Sequence, residues 1–358
     1  MKTRTVAGLI FLGLTGLLFL ARHHLRDLSD VATTYATYQK FIQSHPEILY
    51  RYDPSPPEDA TPLEGSEDVP RIIHQIYLQE GRNSSLDRYS GALASCQDLH
   101  GDWSHMLWTD DTGTAFIREH YPAIAPHYEH YAQSIQRANI LRYALLDHFG
   151  GVYLDLDVSC LQPLDELRRL PFLTPGVYPA GVNNAFILAR PHHPFLVHLL
   201  EEVPRRDMKW PMPYVENMLS TGCMYFTNRW MSYVRWLKDG SKSATSDEQV
   251  YVLADTDGNI DRHMLRGNVT TPLFAHGGAS SWHGWDAAAI VLIGKHYCIF
   301  LVLVGLGMGM SITIVWKLMR RNNNAERQSP FARSRGSGSH GSIEKLDDEE
   351  KLLFGKDG

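Results

Sequence analysis

Asp155 and Asp157 are the first residues in this 358-residue chain whose types and spacing point to chemistry. They close a run, Val152 to Val158, in which apolar and other residues alternate. A strand over that run puts Val152, Leu154, Leu156 and Val158 on one face and Tyr153, Asp155 and Asp157 on the other. Like charges held so close raise each other's pKa and oppose folding unless a cation or a donor-rich ligand lies between them. The pair therefore reads as a binding device.

An element before the strand must position its partners. Ala138, Leu141 and Leu145 have the spacing of a buried helical face, and Gly150 with Gly151 supplies the stop that a helix C-terminus requires. Asn139 and Arg142, three apart, lie on one side of that helix, where they reach a polar ligand beside the strand end.

The whole stretch Gln136 to Cys160, QRANILRYALLDHFGGVYLDLDVSC, resembles the R-x-[DN]-x-x-R…GGxYxDxD segment of DXD glycosyltransferases, specifically the family 32 mannosyltransferases of fungi. A bare DxD is common, whereas helix, double glycine, aromatic and paired carboxylates in this order are specific. The resemblance implies that Asp155 and Asp157 hold a divalent metal, Mn²⁺, which in turn holds the diphosphate of a sugar nucleotide. It also implies that Asn139 and Arg142 orient the donor sugar, that Tyr153 lines the donor site and that Arg137 faces phosphate. Relatives often carry Asp where this chain has Asn139; Asn keeps the shape but adds donors and loses the charge.

Other segments carry the same resemblance. Val69 to Leu78, VPRIIHQIYL, reads as the first buried strand of a nucleotide-binding domain. Read alone, its His74 is a satisfied core histidine; by resemblance it opens the donor site. Trp103 to Asp111 reads as a second strand, with Trp108 at the carboxyl end where open α/β sheets bind ligands; it is either a contact to the base or core. In Gly181 to Pro194, Asn183 and Asn184 stand before a strand at Phe186 to Leu188, and their amides suit sugar hydroxyls or an asparagine turn. His192 and His193 read as a helix-start turn. The polar segment His276 to Asp286, HGGASSWHGWD, resembles a family loop in which Ser281 and Trp282 close over the diphosphate while His283, or alternatively His276, completes the metal shell. The aromatics between Trp210 and Trp236 read as an acceptor groove, a membrane-interface layer or core, and Ser220 to Cys223 as a small-residue turn.

The ends read as membrane elements. Thr5 to Ala21 is almost wholly apolar, at the short limit for a bilayer span, which takes roughly 20 residues. A cleaved signal peptide is its rival, against which Phe19 and Ala21 make a poor cleavage site. Tyr297 to Trp316 is uncharged and followed by Lys317, Arg320 and Arg321, the pattern of a span with a cytosolic tail. The organisation expected is an anchor at 1–22, a stem at 23–69, a lumenal catalytic domain at 70–288, a second span at 289–316 and a disordered cytosolic tail at 317–358. Glycosylation acceptors in form at Asn83 and Asn268 suit a lumenal domain.

The net charge of -6 and the lack of a basic face argue against nucleic acid. Of four cysteines, Cys298 falls in the second apolar run, and Cys96, Cys160 and Cys223 leave room for one disulfide whose pairing the sequence leaves open. The fold class expected is α/β: a GT-A-like single nucleotide-binding domain with a mixed, mainly parallel sheet, flanked by two transmembrane helices. By resemblance the activity is retaining transfer of mannose from GDP-mannose in the Golgi membrane. A second span resembles the family members that act on inositol phosphorylceramide at the lipid bilayer and work with a regulatory membrane subunit. The alternatives are an α-1,6-mannosyltransferase of N-glycans and a non-catalytic scaffold.

Overall fold

The computed structural model describes residues 2–54, 69–78, 85–239, 245–278 and 284–328. It divides into two units, Met1–Asp286 and Ala287–Gly358. The first unit holds a seven-stranded sheet in the order β1-β8-β6-β7-β4-β2-β3. These strands are β1 (Leu49–Arg51), β2 (Ile72–Ile76), β3 (Ser104–Trp108), β4 (Gly151–Leu154), β6 (Phe172–Pro175), β7 (Phe186–Ala189) and β8 (Tyr251–Ala254). Only β7 runs against its neighbours; the remaining pairings are parallel, so the sheet is mixed and mainly parallel. A second sheet of three antiparallel strands joins β5 (Val158–Cys160), β10 (Phe274–Gly277) and β9 (Asn268–Thr270).

Strand alternation sorts the core. On one face of the large sheet Ile76, Tyr153, Ile187 and Val252 pack under helices. These are α3 (Asp110–His120), α4 (Ala125–His130), α5 (Ser134–Phe149), α6 (Pro194–Arg206) and α8 (Cys223–Asp239), with α7 (Pro213–Ser220) leading into α8. On the other face Ile73, Val152, Leu154, Phe186 and Leu188 pack with Val158 and Phe274 of the small sheet and with Cys96 of α2 (Ser90–Leu99). Helix α5 is the central support: Ile140, Leu141, Ala144, Leu145 and Leu146 are fully buried. His193 caps α6, accepting at Nδ1 from Phe195 N–H, as the helix-start reading requires.

The amino-terminal segment departs from a separate anchor and stem. Residues Lys2–Ser44 form one helix, α1, whose second half packs on α8, with Tyr38 fully buried and its hydroxyl donating to Gly181 O. Asp27 pairs with Arg206, and Asp30 lies 3.0 Å from Arg229. Within the expected stem, β1 then adds an edge strand to the catalytic sheet.

The expectation of two membrane-spanning helices is overturned. Among the described residues no helix is long and apolar enough to cross a membrane. The apolar run at the amino terminus belongs to a helix that continues into charged sequence docked on the domain. The second run belongs to α10 (Tyr297–Gln328), which follows α9 (Trp285–Lys295) and continues through Lys317, Arg320 and Arg321. The membrane-bound, multi-pass Golgi placement, with a lumenal domain and cytosolic termini, rested on those two spans and falls with them.

Candidate active site

The site forms where the two sheets meet. Helix α5 ends as expected: Gly150 adopts φ 64° and its N–H donates to Leu146 O. Gly151 follows at φ 100°, and a Cβ there would stand 2.6 Å from Ile72 O, so only glycine lets β4 lie against β2. The expected uninterrupted strand through Val158 is not what forms. Strand β4 stops at Leu154, Asp155 to Asp157 make a turn closed by Val158 N–H donating to Asp155 O, and β5 enters the other sheet. The carboxylates are thus held by a turn that bridges two sheets, not by the pleat of one strand. Both ends of the turn are tied: Asp155 N–H donates to Ala185 O, and Gly277 N–H donates to Asp157 O.

Around this turn α5 delivers its polar side. Arg142 Nη1 lies 3.1 Å from Asp155 Oδ1 and donates to Asn184 O, while its guanidinium lies over the Tyr153 ring, 4.4 Å from the centroid. The Tyr153 hydroxyl donates to Asp155 Oδ1 at 2.7 Å. Burial raises the Asp155 pKa, Arg142 opposes that rise, and the neighbouring Asp157 charge adds to it. Burial disfavours the Arg142 charge as well, but Tyr153 and Asp155 outweigh it and hold the guanidinium protonated.

Asn139 sits in a closed amide network. Its Nδ2 donates to Asn217 Oδ1 and Thr221 Oγ1, and its Oδ1 accepts from Asn184 Nδ2. Asn184 also donates to the Tyr143 hydroxyl and accepts from the Cys223 thiol. Asn183 is used differently, its Nδ2 donating to Leu265 O and its Oδ1 accepting from Ala185 N–H. The structure therefore brings Asn139, Arg142, Tyr153, Asp155, Asp157, Asn183 and Asn184 together.

Other expected residues stand farther back. His74 is fully buried, its Nε2–H donating to Gly150 O and its Nδ1 accepting from the Trp108 indole N–H. Burial lowers its pKa to about 4, in keeping with a neutral ring that braces the glycine turn. Trp108 packs, tilted, against Phe116 and Phe149 in the core. Arg137 is occupied by Tyr131 O and Asp110. Of the aromatics between Trp210 and Trp236, Tyr225, Phe226, Trp230 and Tyr233 are core, which fits the packing reading, while Trp236 is exposed. Ser281, Trp282 and His283 lie outside the described residues.

His276 of β10 is well placed: its Nε2 stands 3.5 Å from Asp157 Oδ2. Its Nδ1 is 2.6 Å from Gly267 O, a carbonyl that can only accept, so Nδ1 carries the donated hydrogen and Nε2 is left facing Asp157. The sequence reading did not foresee Asn217 and Thr221 in this site, nor the free thiol of Cys223; its only signal was the small-residue turn at Ser220 to Cys223. Nor did it single out the pairing of Cys96 with Cys160, the disulfide that ties β5 to α2.

Residues 87–171 match the family described as the glycosyltransferase sugar-binding region containing DXD motif. Inositol phosphoceramide mannosyltransferase 2 of Schizosaccharomyces pombe is 31% identical over 67% of this chain and 68% of its own length. The chain belongs to the fungal DXD mannosyltransferases of glycosyltransferase family 32. Mannosyl phosphorylinositol ceramide synthases SUR1 and CSH1 of Saccharomyces cerevisiae are 38% and 31% identical, over 47% and 64% of this chain. This family 32 chain spans only 43% and 56% of those two relatives. Family 32 membership makes it a glycosyltransferase with a divalent-cation requirement.

The residues present fit such an ion. Asp157 Oδ2 lies 3.5 Å from the His276 imidazole, Asp155 stands on the same turn, and Asp155 Oδ2 takes no protein hydrogen bond among the described residues. Among those residues no group of three or more acidic, histidine or cysteine side chains is preassembled to hold a metal. That is the arrangement expected when an ion is bound by one or two carboxylates together with the phosphates of a substrate, not by an all-protein cage.

Proposed function

We propose that the protein transfers mannose from GDP-mannose to inositol phosphorylceramide, with Mn²⁺ as the working ion and a regulatory membrane subunit as partner. The observation that carries the reading is the Asp155-to-Asp157 turn with Arg142 locked against it, in a chain similar over two thirds of its length to an inositol phosphoceramide mannosyltransferase. Bound at Asp155 and Asp157, the ion would neutralise charge on the departing nucleoside diphosphate. Arg142 keeps Asp155 ionised and oriented. The Asn139 and Asn184 amides line the wall beside it, where the sugar hydroxyls would be read. Ser281, Trp282 and His283 are proposed to cover the diphosphate, and Trp108, Arg137 and His74 to support the donor side.

The test is a transfer assay with purified protein, offering several sugar nucleotides against inositol phosphorylceramide and against a mannan-type oligosaccharide, with and without Mn²⁺. Mannose on the lipid, only from GDP-mannose and only with the ion, is the expected result. Mannose on the oligosaccharide alone would replace this reading with the N-glycan α-1,6-mannosyltransferase.

A further inference from the structure

Arg266 is an exposed arginine held at the edge of the site by the site's own residues. The carbonyl before it, Leu265 O, accepts from Asn183 Nδ2 at 2.9 Å. The carbonyl after it, Gly267 O, accepts from His276 Nδ1, whose other nitrogen faces Asp157. Leu265 is buried, and Gly267 turns the chain at φ 64° toward β9. The backbone of Arg266 is therefore clamped between the Asn183 amide, which also holds Ala185 N–H, and one candidate metal ligand.

Its side chain is not spent on the fold. Among the described residues no carboxylate pairs with it; the guanidinium lies 5.9 Å from the ring centroid of Tyr178, itself exposed. Its electrostatic neighbours include Tyr35 of α1 and Tyr214 of α7. The cation thus lies beside an exposed tyrosine at the edge of the site.

An arginine anchored by its backbone, lying near an aromatic ring and lacking a carboxylate partner among the described residues suits a phosphate oxygen pair. The donor diphosphate has its own countercharge in the ion at Asp155 and Asp157. We propose that Arg266, beside Tyr178, binds the phosphodiester of the acceptor. The assignment rests on the proposed function, because it takes the acceptor to be a phosphorylated lipid.

The experiment uses the full chain in mixed micelles and compares wild type with Arg266→Ala and Arg266→Lys. It measures KM for inositol phosphorylceramide, KM for GDP-mannose and acceptor-independent hydrolysis of GDP-mannose. The expected result for Arg266→Ala is a rise of about tenfold or more in acceptor KM, corresponding to about 1.4 kcal/mol, with donor KM and hydrolysis unchanged. Arg266→Lys should recover part of the loss. A rise in donor KM with acceptor KM unchanged would move Arg266 to the donor diphosphate, and no change in either would leave it a surface residue; both overturn the proposal while the proposed function stands. Wild-type protein that ignores inositol phosphorylceramide but glycosylates an uncharged acceptor overturns the proposed function and this assignment together.

Discussion

Arg142 reaches Asp155 from the helix that precedes it, Nη1 to Oδ1 at 3.1 Å, while donating to Asn184 O with the same nitrogen. One buried cation thus joins the carboxylate turn to the amide wall. Arg142→Ala leaves Asp155 part-buried beside Asp157 without its cation, and the loss expected is roughly 100-fold in kcat/KM, or about 2.7 kcal/mol. Arg142→Lys should recover little, because a point charge cannot make both contacts while stacking on Tyr153. Steady-state kinetics on both variants, beside thermal melts that separate misfolding from lost activity, check this.

Removing the ion should abolish transfer, and Mn²⁺ should restore it. With Asp157→Ala, calorimetric titration of GDP into the protein is expected to give the same weak affinity with or without Mn²⁺. His276→Ala should weaken the ion's half-saturation by about 10-fold. If GDP affinity in the Asp157 variant still rose with Mn²⁺, the ion would have to be bound elsewhere.

The disulfide between Cys96 and Cys160 closes a segment with a sequence separation of 64. Chain-entropy reasoning puts its stabilisation at about 4 kcal/mol. Guanidinium unfolding midpoints should therefore fall on reduction. A Cys96→Ser, Cys160→Ser protein should show the same fall without reductant, and reductant should then add nothing.

Asn139→Asp tests whether the amide network is specific. Both Nδ2 bonds, to Asn217 Oδ1 and Thr221 Oγ1, would be lost, and a carboxylate oxygen would face Asn217 Oδ1. The expected cost is about 1–3 kcal/mol in urea unfolding. Asn217→Ala in the same protein should recover part of it by removing the opposed oxygen.

Acid should destabilise the fold through its buried histidines. Burial lowers the pKa of His74 and His263 to about 4 and that of His193 to about 3. Unfolded, these rings take up protons near pH 6.5; folded, they refuse them until the lower values are reached. Their neutral-form stability is present above pH 6.5 and declines as pH falls, by about 1.4 kcal/mol per unit for each histidine. Urea unfolding between pH 7 and pH 4 should show that slope, shallower in His74→Gln.

The local parts of the site were legible in sequence. The α5 spacing, the glycine stop, the strand at Phe186 and the His193 helix start are near-neighbour patterns, and each element forms where expected. The turn at Asp155 was not, because alternation continues through Val158 and only the partner strands decide that β4 and β5 belong to different sheets. Asn217 and Thr221 were invisible for a similar reason. They reach Asn139 across a large sequence separation, and no local pattern marks a polar residue as belonging to a remote network. The cysteine pairing required knowing that α2 packs on β5. At both ends apolar composition was read as membrane spans, and composition does not reveal that the helix at the amino terminus continues onto the domain.

The second half of that helix, with β1, makes residues 27–51 part of the catalytic body. The Tyr38 ring, the Asp27 and Asp30 ion pairs and the β1 edge all cover surface that the rest of the chain does not cover itself. A shortened enzyme beginning at the first sheet-core strand would bare the flank of Trp230 and leave Arg206 and Arg229 without those acids. Protein engineers seeking a minimal transferase should accordingly trim ahead of Asp27, not behind Arg51.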